Sequence, residues 1–306
     1  MSEQSITYSI CIPVYNSGKG IGDLISQIKK VMAAHSYEVI IVDDGSDVET
    51  KDALRKLADP SVHVYVLTRN FGKIPALFCA MEKAKGEYII TMDDDGQHNP
   101  EALPDLINAV KGHDAAIAIW DVYQQSLWRR VCSAAYGKLQ QVAYKKPKHI
   151  KSSPFKIIRG EVVRQMFSMK NAFPMPAPLL FYITHGVVNV QIRHEKRQSG
   201  KSGFTVGKML TMAWGMLINH SSLLLRMMTF AGFLFSFISL GTGAYFLYKK
   251  LVFGISVTGW ASLFVYLSFL GGLLLMAMGI LGEYMNRLIR ETEKRPLYFV
   301  KEKIQP

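Results

Sequence analysis

Only three cysteines occur in the 306 residues, Cys11, Cys79 and Cys132, and no two of them form a CxxC pair. So sparse and odd a set excludes a disulfide framework and offers no thiolate zinc site. Acids are also in short supply, 24 against 36 Lys and Arg, which leaves a formal net charge of +12. That excess points to an anionic partner: nucleic acid, an anionic membrane surface or a phosphorylated substrate. The opening MSEQSITYSICIPVYN has no basic stretch leading into a long apolar one, so no cleaved leader is expected, and the first two hundred residues are expected to stay in the cytosol. Charge is almost missing from one long stretch. Between Met227 and Gly282 the only charged side chains are Lys249 and Lys250.

What is present in the first 120 residues is an alternation of two hydrophobic periods. Tyr8–Val14, Tyr37–Val42, Val62–Leu67, Glu87–Met92 and Asp114–Ile119 are short apolar runs rich in β-branched or aromatic residues, as buried parallel strands are. Between the first two, Ile21, Leu24, Ile25, Ile28, Val31 and Met32 fall on one stripe of a helix. Lys51–Ala58, Ile74–Lys85 and Pro100–Lys111 are compatible with helices too. Strand and helix alternating in this way predict an α/β fold with a mostly parallel sheet and helices on both faces. Farther on, Leu127–Tyr144 reads as a helix, and Phe155–Ile158 and Val187–Ile192 as short strands; Pro174, Pro176 and Pro178 mark a loop.

The apolar end divides into three pieces. Thr205–Asn219 is apolar nearly all round and reads as a helix lying in a membrane interface, anchored by Trp214, with a buried soluble helix as the alternative. Met227–Tyr248 and about Trp260–Gly282 are each long enough to cross a bilayer core, which takes roughly 20 residues. The expected organisation is therefore a cytosolic catalytic domain over 1–204, an interfacial helix over 205–222, a two-span region over 223–282 and a basic tail over 283–306. Arg287, Arg290, Lys294, Arg295, Lys301 and Lys303 in the tail, against Lys249 and Lys250 in the turn, put both chain ends on the cytoplasmic side.

In a doubly wound sheet, ligands bind at the carboxyl ends of the strands. Three polar clusters fall there: Pro13-Val14-Tyr15-Asn16, Asp43-Asp44-Gly45-Ser46 and Asp93-Asp94-Asp95-Gly96-Gln97. Crowded acids after an apolar strand are electrostatically costly unless something cationic binds among them. Asp93 and Asp95 suit a hard ion, Mg²⁺ or Mn²⁺, that keeps waters and takes substrate phosphates as further ligands. A single such Asp is better explained as a helix or turn cap; two clusters at equivalent strand ends favour the ion. The cations Lys145, Lys146, Lys148, Lys151, Lys156, Arg193, Lys196, Arg197 and Lys201 fit an anionic acceptor or anionic lipid. No aromatics are interleaved among them, which argues against nucleic acid.

CIPVYNS, IVDDGS, LTRNFGK and MDDDGQHNPE, in this order and at these separations, resemble the family 2 glycosyltransferases of the GT-A fold, which is Rossmann-like. RNFGK, the later RxxGxSxF (Arg197, Gly200, Ser202, Phe204) and the two apolar spans are similar to the polyisoprenyl-phosphate glycosyltransferases, relatives of dolichol-phosphate mannose synthase, and above all to the bacterial undecaprenyl-phosphate (bactoprenol) glucosyltransferases. The resemblance runs along essentially the whole chain and includes the ending Gly282–Lys301.

The resemblance implies a UDP-sugar donor, a polyprenyl phosphate acceptor, a divalent ion, the bacterial inner membrane and a tetramer. It implies that Pro13, Tyr15 and Asp44 contact the uridine while Asp43 and Ser46 shape that turn, and that Arg69 and Lys73 lie near the diphosphate. It makes Asp93 and Asp95 the metal pair, puts Gln97 beside the reacting centre, and places Arg197 and Ser202 by the acceptor phosphate. Ser17 stands where the family has Glu, Trp120 and Asp121 where it often has Arg, and Ser153-Pro154-Phe155-Lys156 where it has GDFR. Lys156, and Arg129 or Arg130, are the charges left to replace those arginines. Two other readings are open: a related enzyme extending a polysaccharide, against which no QxxRW-type motif is found, and a catalytically impaired membrane scaffold.

Overall fold

The computed structural model describes residues 6–18, 20–96, 98–120, 137–138, 140–141, 144, 146–169, 174–192, 223–253, 259–293 and 295–304. The chain divides into two units, one of residues 1–204 together with 295–306, the other of residues 205–294.

The first unit is built on strands β1 (Tyr8–Val14), β2 (Tyr37–Asp43), β3 (Val62–Leu67), β4 (Tyr88–Thr91), β5 (Ala115–Trp120), β6 (Lys156–Arg159), β7 (Val187–Ile192) and β8 (Val300–Ile304). Their order across the sheet is β7-β5-β6-β4-β1-β2-β3-β8. The five expected strands are present, and the first four pair in parallel. β5 does not extend that run directly. β6 lies between β4 and β5, antiparallel to both, so that Ile90 faces Ile157 and Ala116 faces the same residue from the other side. Val300–Ile304, within the basic tail, form β8, antiparallel to β3. Lys301, Glu302 and Lys303 put charge along this outer strand, a common protection against edge-to-edge pairing.

Alternate strand residues feed two cores. Ile10, Ile12, Val39 and Ile41 pack on one face with Ile21, Ile25 and Ile28 of α1 (Gly20–Met32), Leu54 of α2 (Val48–Arg55) and Leu103 and Leu106 of α4 (Leu103–Ala109). Cys11, Ile40 and Val42 pack on the other with α3 (Lys73–Lys83), α5 (Gly160–Ser168) and α6 (Pro176–Ile183), a helix where a loop was expected, since Pro176 and Pro178 fall in its first turn, where proline is tolerated. α2 starts three residues before the expected Lys51 because Asp47 caps it, its side chain accepting from Thr50 N–H at 2.9 Å. The Pro100 segment opens as a 3₁₀ turn, Pro100–Ala102, capped by Asn99, before α4 takes over.

The second unit contains α7 (Leu223–Phe253) and α8 (Trp260–Glu293). Both are long and apolar enough to cross a membrane. α7 rises about 46 Å at 1.5 Å per residue, more than a bilayer core of roughly 30 Å. Phe230, Phe233, Phe237, Leu240 and Leu251 on α7 are exposed, as are Leu267, Leu274, Leu275 and Met278 on α8. An apolar surface on that scale belongs in lipid or against another protein. Within the unit the Ser239 and Tyr266 hydroxyls hydrogen-bond at 2.8 Å. The expected interfacial helix over 205–222 and most of Leu127–Tyr144 lie outside the described residues.

Candidate active site

The site grows from the carboxyl ends of β1, β2 and β4. Asn16, just after β1, has φ 53°, a left-handed conformation that Asn tolerates better than most residues. Its amide donates to Ser46 Oγ at 3.0 Å, and its Oδ1 accepts from Asp47 N–H at 2.9 Å. The turns after β1 and β2 are thereby stitched together. Asp43 Oδ1 closes the second turn by accepting from Ser46 N–H at 2.9 Å. Its Oδ2 is buried and, among the described residues, has no hydrogen-bond partner.

Asp44 reaches the other way. It is 2% exposed, and its two oxygens accept from Phe71 N–H at 2.7 Å and Gly72 N–H at 2.8 Å. One carboxylate thus clamps the loop between β3 and α3, the RNFGK segment. Burial pushes the carboxyl above its usual range, against the pull of the two amides and of Arg69. Gly45 makes the close approach possible. With φ +75°, it lies where an added Cβ would be 2.7 Å from both Arg69 C and Asn70 N.

The acid triplet follows β4. Asp93 Oδ2 takes an ion pair from Lys73 Nζ at 2.6 Å, and its amide donates to His98 Nδ1 at 2.8 Å. His98 is buried and stacks on Phe155, ring centroids 5.0 Å apart; burial lowers its pKa, consistent with a neutral ring accepting from that amide. Asp94 is bonded by the Ser17 hydroxyl and by Tyr15 N–H, and burial raises its pKa. Asp95 is exposed. Beneath them Lys156, on β6 opposite Thr91, is 4% exposed. Burial drives its pKa down to about 8, with Asp93 pulling it back up and Lys73 pushing it down.

A cavity of about 180 Å³ opens among Pro13, Val14, Tyr15, Asp44, Asn70, Gly72, Lys73 and Asp94. Ligand pockets commonly run to about 300–1,000 Å³, so this one holds a part of a ligand such as a nucleoside. The structure brings together Pro13, Tyr15, Asp43, Asp44, Ser46, Arg69, Lys73, Asp93 and Asp95 around the adjoining ends of β4, β1, β2 and β3. Gln97, Arg129, Arg197 and Ser202 lie outside the described residues. Asn70 and Asp94 line the cavity although sequence reasoning assigned them no role. β4 ends at Thr91, ahead of the acid triplet; Asp94 meets Ser17, 77 residues away in sequence, a contact that no local pattern announces.

Among the described residues, no three His, Cys, Asp or Glu side chains gather as a metal site. Two carboxylates, one of them already ion-paired to Lys73, fit only an ion that draws its other ligands from substrate and water, as Mg²⁺ and Mn²⁺ do.

A doubly wound α/β sheet with acids and a lysine around a cavity at the carboxyl ends of its parallel strands has its candidate site where such sheets bind their ligands. Residues 9–167, just over half of the chain, match Glycosyl transferase family 2, and the chain belongs to that family. It is a glycosyltransferase. The bactoprenol glucosyl transferase of Shigella phage SfV is 30% identical over 303 residues, 97% of this chain and 99% of that one. The undecaprenyl-phosphate 4-deoxy-4-formamido-L-arabinose transferase of Pseudomonas savastanoi pv. phaseolicola is 27% identical over 313 residues, 97% of this chain and 90% of the relative. Among solved structures, glucosyl-3-phosphoglycerate synthase from Mycobacterium tuberculosis, crystallised with Mn²⁺, UDP-glucose and phosphoglyceric acid, matches with a TM-score of 0.53 at 15% identity. That match covers 70% of this chain and 78% of the other. At that identity the likeness is one of fold.

Proposed function

We propose that this glycosyltransferase moves a hexose, glucose by resemblance, from a UDP-sugar to a polyprenyl phosphate, undecaprenyl phosphate in a bacterium. The observation that carries the reading is the cavity where Asp44, Asp94 and Lys73 meet, in a chain that also holds two helices apolar enough to cross a membrane. The names of the relatives support the lipid acceptor. The catalytic unit then works at the cytoplasmic face of the inner membrane with both chain ends in the cytosol, and the chain assembles as a homo-oligomer, a tetramer by resemblance.

The acceptor is a phosphate monoester, already anionic near neutral pH because its second pKa is about 6. It needs little deprotonation, so the demand falls on orientation and on charge. One phosphate oxygen attacks the anomeric carbon, the bond from that carbon to the diphosphate breaks, and its electron pair leaves with UDP. Attack from the face opposite the leaving group inverts the centre, and an α-linked donor gives a β-linked lipid phosphate. Pro13 and Tyr15 form the wall against which the uridine rests, and Asp44 fixes the loop that faces it. Lys73 and Arg69 hold the diphosphate on this reading. Lys156 adds positive field at Asp93 from below and is one of the charges assigned to the acceptor phosphate, with Arg129, Arg197 and Ser202 as its partners. Asp93 and Asp95, with Gln97 beside them, would hold Mg²⁺ or Mn²⁺, which when bound neutralises charge on the departing diphosphate.

Membranes containing the protein, incubated with labelled UDP-sugars and polyprenyl phosphate, should pass label into organic solvent only when Mg²⁺ or Mn²⁺ is added. Label in a water-soluble polymer would replace the lipid acceptor by a growing glycan. Absence of transfer from every UDP-sugar would remove the donor class.

A further inference from the structure

The last strand of the sheet reaches the donor loop. Tyr298 and Phe299 lead directly into β8, and the Phe299 carbonyl accepts from Thr68 N–H at 2.9 Å, extending the β3–β8 pairing to the start of the RNFGK segment. One residue back, the Tyr298 hydroxyl donates to Glu82 on α3, the helix that this segment opens into. The Phe299 ring lies against Phe71, centroids 6.2 Å apart and planes at 47°. Phe71 in turn carries the Arg69 guanidinium 4.2 Å above its ring, and its amide is one of the two bound by Asp44. Arg69 is otherwise an exposed side chain that, among the described residues, donates one hydrogen bond, to the neighbouring Asn70 carbonyl at 3.3 Å. A long cation so lightly tied loses conformational freedom on meeting an anion unless something holds it beforehand.

We propose that Phe299 is a positioning residue for the donor: through Phe71 it holds the Arg69 guanidinium where the diphosphate of the nucleotide sugar binds. The inference rests on the reading of Arg69 as a diphosphate contact. It gives the tail that follows α8 a share in substrate binding, in addition to its place in the sheet. Phe299 is 54% exposed, far more than its ring contact alone requires of a core residue, so its removal leaves the packed interior intact.

The test uses the full-length protein in detergent or nanodiscs, with UDP titrated calorimetrically and donor and acceptor kinetics measured. Phe299→Ala should weaken UDP binding and raise the donor KM by about 3- to 10-fold, the worth of one aromatic contact. The kcat at saturating donor and the acceptor KM should stay within about twofold, the scatter left by an additive site. Phe299→Tyr should restore the affinity. In an Arg69→Ala background the same Phe299→Ala change should cost nothing further, since the group it positions is gone. If Phe299→Ala proves unstable, Phe299→Leu, which keeps apolar bulk on the strand, should still weaken UDP binding. Unchanged UDP affinity in these variants, a penalty undiminished without Arg69, or a fall in kcat at constant donor KM overturns the proposal. If Arg69→Ala alone leaves UDP binding untouched, it is the reading of Arg69 that fails; if the unmodified protein binds no UDP, the donor assignment fails with it.

Discussion

Replacing Gly45 by alanine asks two things of the turn after β2. A non-glycine residue at φ +75° costs about 1–2 kcal/mol in backbone energy alone. The added methyl would also lie 2.7 Å from Arg69 C and Asn70 N, main-chain atoms that cannot swing aside like a side-chain tip. Either β2 or the RNFGK loop must retreat, and the two amide bonds from Phe71 and Gly72 to Asp44 stretch as it does. Hydrogen bonds to a charged acceptor are worth about 1.5–3 kcal/mol each, so partial loss of the pair adds roughly 2–3 kcal/mol. The expected total is about 3–5 kcal/mol. At about 2–4 °C per kcal/mol for a unit of this size, the melting transition of the catalytic unit should drop by about 6–20 °C. Gly112 supplies the control. Its φ is +78°, nearly that of Gly45, yet no heavy atom lies within 4 Å of where a Cβ would go. Gly112→Ala should therefore cost the backbone term alone, about 1–2 kcal/mol. Scanning calorimetry on the two purified variants, with UDP titrations beside it, decides the matter. If Gly45→Ala melts no lower than Gly112→Ala and binds UDP as well as the parent, then the close packing of the β2 turn on the donor loop is not what shapes the site.

Asp44→Asn should weaken UDP binding by about 30- to 150-fold, measured calorimetrically, because a carboxamide presents its NH₂ to one of the two amides that the carboxylate now accepts from. Asp95→Ala should abolish transfer to lipid while thermal melting and membrane insertion stay as they are, since the side chain is exposed. Lys156→Met should stabilise the catalytic unit at pH 7 by up to about 3 kcal/mol, the worth of a lysine pKa lowered from 10.5 to about 8. The sign follows from proton binding. Between pH 8 and 10.5 the unfolded chain holds the proton and the folded one has released it, so the parent gains stability as pH rises through that window and the advantage of the Met variant shrinks there. Melting temperatures of both proteins from pH 7 to 10.5 read this directly, and a constant difference across that range would contradict the burial of a charged Lys156.

The strands that could be read beforehand were those whose two faces are both covered. Val39–Val42 and Ile10–Ile12 have to be apolar throughout because α1 packs on one side and α3 on the other. β6 and β8 left no such trace of their pairing. Phe155–Ile158 was visible as a short strand, but the antiparallel place of β6 between β4 and β5 is decided by residues far away in sequence, Tyr88 opposite Arg159 and Ala115 opposite Ile158 among them. Val300–Ile304 holds three consecutive charged residues between two apolar ones, a pattern that suits a solvated tail as well as an outer strand. The site was legible in its residue types, since Asp44 and the acid triplet follow apolar strands, but not in its bonding. Nothing in the string of letters says that Asp44 spends both oxygens on the amides of Phe71 and Gly72, or that Lys73 turns to Asp93.

The sheet also has an assembly order. Seven of its strands come from the first 192 residues, but its eighth is made only after α7 and α8 have left the ribosome. On the proposed reading those helices are handed to the insertion machinery before the last edge of the sheet exists. A nascent chain stalled before residue 300 therefore carries a catalytic unit with β3 uncovered and the Arg69 loop unsupported. Full donor affinity would then arise only in a completed chain, so an unfinished one would consume less of the cell's sugar nucleotide.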